Sequence, residues 1–211
     1  MVRPNVAEAD FFRDEAKQST ARSVKHVEQQ TSAEVVVAVR RRSGDYRVAA
    51  YHCGFLVGGL VIAYLLIAPQ VFSIGDIALD GLLGFGLGFA LALNVAPLLR
   101  LWAREAKLAK NVADAARVAF FDLGISRTSG RNGLLVYASL FERRCVLLTD
   151  IGLEPVRQTA GFRASERTLS EAVKHRDLSA FQRAIADLGA LLAEAHPRSA
   201  EDVNELPDEV Q

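Results

Sequence analysis

Uncharged, mostly apolar positions run unbroken from Val48 to Gly75, and again from Gly81 to Leu99 after Asp76 and Asp80. A bilayer core of about 30 Å takes roughly 20 apolar helical residues to cross, so each run is long enough for one crossing. Pro69, Ser73, Gly75 and Asp76 punctuate the interval between them, which predicts a helical hairpin with a short turn. The first run starts well inside the chain and follows a charged N-terminal stretch, which does not fit a cleaved signal peptide. A pair of buried core helices is the competing reading, and two adjacent runs of this length argue against it.

The flanking sequence changes period. Phe12, Ala16, Val24 and Val27 recur near every 3.6 residues and predict an amphipathic helix from Glu8 to Gln30, with Thr20 interrupting its apolar stripe. Glu34 to Val39 is β-branched and almost continuously apolar, the pattern of a strand covered on both faces. Beyond the hairpin, Leu101 to Leu123 is again helical in pattern, continuing the second arm or following it directly, and Gly124 sits where a helix C-cap belongs. Leu134 to Ser139 and Arg144 to Thr149 predict two strands around the turn Leu140 to Arg143. Helices are expected over Ser165 to His175 and Leu178 to Ala195, and the acidic segment 197–211 is expected to be disordered.

Charge orients this arrangement. Arg40, Arg41, Arg42 and Arg47 precede the hairpin, Arg100, Arg104, Lys107 and Lys110 follow it, and the connecting turn has no Lys or Arg. The positive-inside rule therefore puts both termini and the soluble part on the cytoplasmic side of a cytoplasmic membrane. Arg40, Arg41, Arg42, Arg47, Arg100 and Arg104 are read as membrane anchors at lipid headgroups, with a nucleic-acid or phosphate role for the arginine triplet as the alternative. The 211 residues carry no net charge, which gives no reason to expect a nucleic-acid partner. Cys53 and Cys145 are the only cysteines, too few for a disulfide framework or a thiolate metal site. The domain reading is thus a soluble α/β part over 1–47 and 101–196, divided by a hairpin over 48–100.

Smaller features inside the hairpin follow. Gly54 and Gly58, and Gly84 and Gly88, each have the spacing that permits close helix approach in lipid. A turn centred near Ser73 would set the two pairs at different depths, so that either each meets small or branched residues of the other arm or one is left over for a second copy. Asp80 is expected at the outer interface, and Asn94 is placed to hydrogen-bond across the hairpin.

Several segments together resemble the TPM domain family, also called the TPM phosphatase family. They are Thr31 to Val37, Gly124-Ile125, Arg127-Thr128, Arg131 to Tyr137, Glu142-Arg143 and Asp150-Ile151-Gly152. Pro197 and Asn204 to Pro207 are similar to the end of a bacterial membrane-bound branch of that family. The resemblance implies an α/β fold, a small mixed sheet of about four strands flanked by helices, here interrupted by the transmembrane hairpin. It also implies phosphatase activity, which the residues can be asked to supply.

Phosphate-ester hydrolysis wants a nucleophile or metal-activated water and cations around the phosphoryl oxygens. The candidate binding loop is Thr128, Arg131 and Asn132, joined by Asp122, Glu142 and Asp150 at strand and helix ends. No Asp-x-Asp-x-Thr, Cys-x5-Arg, P-loop or metal-spaced histidine pair accompanies them, so no catalytic residue is assigned. The structural alternative pairs Arg131 with Glu142 across the sheet edge, makes Asn132-Gly133 a tight turn with positive φ, and makes Asp150 a cap. No cofactor is assigned; Ca2+ or another divalent cation among Asp122, Glu142 and Asp150 stays open, without calcium-loop spacing behind it. His26, His175 and His196 are read as surface or helix-end residues. The expected function is a non-enzymatic binding or assembly module for a membrane complex, whose partners are the lipid bilayer and a membrane protein or second copy. A weak phosphatase working through the Thr128 to Asn132 loop is the alternative.

Overall fold

The computed structural model describes residues 6–198 and 205–206. Helices α1 (Val6–Asp10) and α2 (Asp14–Glu28) lead into strand β1 (Glu34–Arg40). Then come α3 (Arg47–Ile67), α4 (Ile74–Asn94), α5 (Ala96–Trp102) and α6 (Glu105–Asp122). Strands β2 (Gly133–Ser139) and β3 (Arg144–Thr149) precede α7 (Glu154–Arg157), α8 (Ala160–His175), α9 (Leu178–Ala186) and α10 (Leu188–Ala195). The chain forms two compact units, one over Gly44–Leu108 and one assembled from the chain on either side of it.

The discontinuous unit is built on a sheet in the order β1-β2-β3. β1 runs parallel to β2 with Val36 opposite Leu135, and β2 runs antiparallel to β3 with Val136 opposite Leu147. Among the described residues the sheet therefore has three strands rather than about four. The three are those with strand patterning; the rest of the described chain in this unit is helix and loop, save a single bridge between Thr31 and Pro197. Side chains alternate across the sheet as the pleat requires. Val35, Val37, Val39, Leu134, Val136 and Leu147 meet one buried layer, which includes Val24, Val27, Leu169, Phe181, Ile185 and Leu192 from the helices. Val36, Ala38, Leu135 and Tyr137 meet Val112, Ala116 and Phe120 of α6 on the other face. Burial on both faces explains why β1 is written in valine: each such side chain contributes about 1.5–3 kcal/mol.

Several predicted helices are broken: the break at Val95 has Pro97 two residues on, whereas those between α1 and α2 and at Ala103 have no Gly or Pro beside them. The expected helix over Glu8 to Gln30 is interrupted between α1 and α2, where Phe11 packs on Phe181 with ring centroids 5.7 Å apart and Phe12 lies under the Arg41 guanidinium. One helix could not aim two successive rings at both neighbours, and tertiary packing overrides propensity. The helix over Leu178 to Ala195 divides at Asp187, and the stretch after the second arm is interrupted at Val95 and again at Ala103, both extended. Thr20 is buried rather than a gap in the stripe, and accepts a hydrogen bond from Gln182 Nε2 at 3.2 Å.

In the continuous unit, α3 and α4 are helices long and apolar enough to cross a membrane. They pack antiparallel through the glycines. A Cβ on Gly84 would lie 2.8 Å from Val61 Cγ2 and 3.3 Å from Gly58 Cα, and one on Gly88 would lie 2.8 Å from the Cys53 carbonyl oxygen. The two glycine pairs thus face each other in one seam, contrary to the expectation of different depths. The reason is the turn: α3 ends at Ile67 and Ser73 caps α4 in a capping box with Asp76, so the midpoint falls near Val71 rather than Ser73. Tyr51 packs on Phe89 and Phe55 on Phe85 as tilted ring pairs, each at 5.0 Å between centroids. Asn94 donates to the Ala90 carbonyl of its own helix.

Candidate functional site

The loop between α6 and β2 opens with Gly124 in the left-handed region (φ 71°), the conformation a helix C-cap glycine supplies. Its second left-handed residue is Arg131 (φ 50°), not Asn132 or Gly133. Gly133 is glycine for another reason: a Cβ there would lie 2.5 Å from Ile125 Cγ2 and 2.7 Å from the Ile125 carbonyl oxygen. The local turn is closed by Arg131 N–H donating to the Thr128 carbonyl at 3.1 Å.

This conformation delivers Arg131 to Asp150, which follows β3 at the same end of the sheet. Nε donates to Oδ2 at 2.7 Å and Nη2 to Oδ1 at 2.9 Å, a bidentate pair. Asp150 is 6% exposed and Arg131 is 55% exposed by side chain, so the carboxylate is the desolvated partner. The Arg131 hydrogen bonds hold the Asp150 carboxyl below its ordinary range, against the opposing effect of burial. Asp150 also caps the following turn, accepting from the Ile151 amide at 2.8 Å, as the structural alternative anticipated.

Further contacts bind the loop to segments distant from it in the chain. Asn132 Nδ2 donates to the Ser32 carbonyl, and Gly152 N–H donates to the Arg131 carbonyl at 2.8 Å. His196 is no bystander at a helix end: its Nε2 lies 2.9 Å from the Gly152 carbonyl, an acceptor that requires the proton on that nitrogen. The Ser129 amide and hydroxyl donate to the Glu205 carboxylate and hold it below its usual range. Glu34 in turn accepts the Glu205 and Leu206 amides. Pro197, Arg198, Glu205 and Leu206 of the expected disordered segment are thus seen with defined contacts, while 199–204 and 207–211 lie outside the described residues.

Glu142 is elsewhere. It sits in the turn after β2, about 20 Å along the strand from Arg131 at roughly 3.3 Å per residue, so an Arg131–Glu142 pair does not form. Fully buried, it accepts from the Ser43 amide at 2.9 Å and from the Ser139 hydroxyl. Ser43 Oγ donates to Ser139 Oγ at 2.7 Å and lies 3.0 Å from the Tyr137 hydroxyl, whose pKa is raised chiefly by burial. Asp122 is exposed at the end of α6. The six candidates therefore separate: Thr128, Arg131, Asn132 and Asp150 share one end of the sheet, while Glu142 belongs to the other.

Chemically, the shared end is a locked loop. The Arg131 edge that would grip a phosphate is taken by Asp150, and the Thr128 hydroxyl is 2% exposed with no hydrogen-bond partner among the described residues. No cluster of three His, Cys, Asp or Glu side chains suited to a metal occurs among the described residues. Of the arginines read as anchors, Arg41 and Arg42 lie over the Phe12 and Phe141 rings at 4.9 and 4.7 Å, Arg47 pairs with Asp45 and Arg100 with Glu105. Arg40 ends β1 and Arg104 immediately precedes α6.

No protein-family model matches the chain, and no curated protein does. Among solved structures, the chain is similar to the NMR structure of BA42 protein from the psychrophilic bacterium Bizionia argentinensis, with a TM-score of 0.56 and 15% identity over 94% of this chain and 93% of that one. At that identity the likeness is one of fold.

Proposed function

We propose that this is a membrane-anchored, TPM-like α/β protein that binds and helps assemble or maintain a membrane complex, without catalysing a reaction. The observation that carries the reading is the surface of α3 and α4. Phe55, Leu60, Tyr64, Leu66, Ile67, Leu82 and Leu83 are each more than 60% exposed, and only 28% and 22% of the two apolar windows is buried. Core helices of a soluble protein are covered by their own chain, and exposed apolar surface on this scale calls for lipid or a partner. Sheet pairing adds support. β1 precedes the hairpin and β2 follows it, yet they are hydrogen-bonded neighbours, so a chain that crosses once at α3 must return at α4.

The loop geometry favours binding over hydrolysis, because the groups a phosphatase would use are engaged, buried or distant. The test is extraction from a membrane fraction with a mild detergent, followed by measurement of particle mass. A second copy or a co-purifying membrane protein is expected in stoichiometric amount; a strictly monomeric, partner-free particle would count against the assembly role. Hydrolysis of a generic phosphate ester that is lost in both Arg131→Ala and Asp150→Asn, with folding retained, would replace this reading by the enzymatic one.

A further inference from the structure

The continuous unit contains a cleft of about 230 Å3 where the chain enters α3 and leaves α5. Tyr46, Val48, Ala49 and His52 form one side, and Trp102, Ala103, Arg104 and Lys107 the other. Three properties of this cleft are informative together. It is smaller than the roughly 300–1,000 Å3 of sites for drug-sized ligands, which suits a headgroup-sized occupant. It is overlooked by two cations, Arg104 and Lys107, three residues apart and hence neighbours where α6 begins. The adjacent acids Asp45 and Glu105 are paired with Arg47 and Arg100, whereas neither Arg104 nor Lys107 has a salt-bridge partner among the described residues.

The third property is the wall. His52 and Trp102 approach to 6.3 Å between ring centroids, and Trp102 is the only tryptophan in the chain. An indole beside cations at the end of a spanning helix is the usual composition of a membrane interface. Apolar side chains on the same elements are open: Val48 is 55% exposed, Tyr51 46% and Leu101 80%. A free phosphate ion would have no use for such surface, whereas acyl chains would cover it.

We propose that this cleft binds the phosphate headgroup of an anionic phospholipid, with Arg104 and Lys107 facing the phosphate and Tyr46 and Trp102 lining the headgroup. The proposal rests on the membrane reading above. Basic pockets at the cytoplasmic end of membrane helices recognise anionic headgroups in this way, each cation adding to the attraction.

Trp102 reports on the site. Its fluorescence in the detergent-solubilised full-length protein is titrated with short-chain phosphatidylglycerol, with phosphatidylcholine of the same chain length, and with inorganic phosphate. A saturable change is expected with phosphatidylglycerol alone. The variant R104Q/K107Q should weaken binding roughly thirtyfold, while the charge-preserving swap R104K/K107R should keep it within a few-fold. An equal response to phosphatidylcholine, unchanged binding in the charge-neutral variant, or the same change with inorganic phosphate would each overturn the proposal. Alkaline carbonate extraction separates this from failure of the anchor: protein that stays in the membrane pellet but shows no lipid selectivity sinks the headgroup site alone, and protein released by carbonate sinks the membrane reading.

Discussion

Arg131 grips Asp150 through two parallel hydrogen bonds of 2.7 and 2.9 Å, joining the loop before β2 to the turn after β3. The two ends are unequal, because the carboxylate is buried and the guanidinium is largely solvated. Arg131→Met should therefore lower the urea midpoint more than Asp150→Asn, which leaves an exposed arginine free to hydrate. Equal losses would show that the pair is not desolvated on one side.

The same pair sets a pH dependence. Asp150 has its folded pKa depressed, so its contribution is fully present above the unfolded carboxylate value of about 3.9 and is lost as pH falls through the folded value. The stability gap between wild type and Asp150→Asn should be constant from pH 8 to about 5 and shrink in acid below about 4. Denaturation curves at pH 7 and pH 3 check this, and a gap that widens in acid would contradict it.

Thr128 presents a buried hydroxyl with no partner among the described residues. Thr128→Val removes an unpaired polar group while keeping the shape of the side chain, and should be neutral or stabilising by up to about 1 kcal/mol in chemical denaturation. A loss of more than that would show that the hydroxyl has a partner.

Glu142 is the converse case, a buried carboxylate whose acceptor capacity is used by Ser43 and Ser139. Glu142→Leu should cost about 1–3 kcal/mol for each donor stranded, whereas Glu142→Gln keeps one acceptor and should cost less. Thermal or urea unfolding of both variants separates these outcomes.

The hairpin seam makes a positional prediction. At Gly88 a Cβ would meet the Cys53 carbonyl and the Val57 side chain at 2.8 Å, but at Gly86 nothing lies within 4 Å. Gly88→Val should separate the arms, at a cost of about 1–3 kcal/mol, while Gly86→Ala should be tolerated. Cross-linking between cysteines introduced on the two arms reads the difference.

The sheet was legible because its strands are short, largely apolar and bounded by turn residues: Glu34 to Val39, Leu134 to Ser139 and Arg144 to Thr149 agree with β1, β2 and β3 to within one residue at each end. The helix breaks at Phe11–Arg13 and at Asp187 were not, because they follow from which side chains find a tertiary partner. In the candidate site, Arg131, Asn132 and Asp150 could be picked out as polar residues at strand ends. Their partners could not. Ser32, Gly152, His196 and Glu205 enter through backbone carbonyls, amides and side chains distant in the chain, and no local pattern encodes which of them will pair. Glu142 falls outside that cluster, because proximity in sequence to a strand end does not say which end of the sheet a residue occupies.

The central claim is that α3 and α4 cross a membrane and leave the α/β unit on the Arg- and Lys-rich side. Cys53 and Cys145 are both buried, and burial pushes the Cys145 thiol pKa up, so the native background to thiol labelling is low. Single cysteines at Val71, which is 99% exposed in the turn, and at Lys174 on the exposed face of α8 can then be probed with a membrane-impermeant maleimide in intact cells. The account predicts labelling of Val71→Cys in intact cells and of Lys174→Cys only after permeabilisation. Labelling of both positions only after permeabilisation, or the reverse pattern, would contradict it.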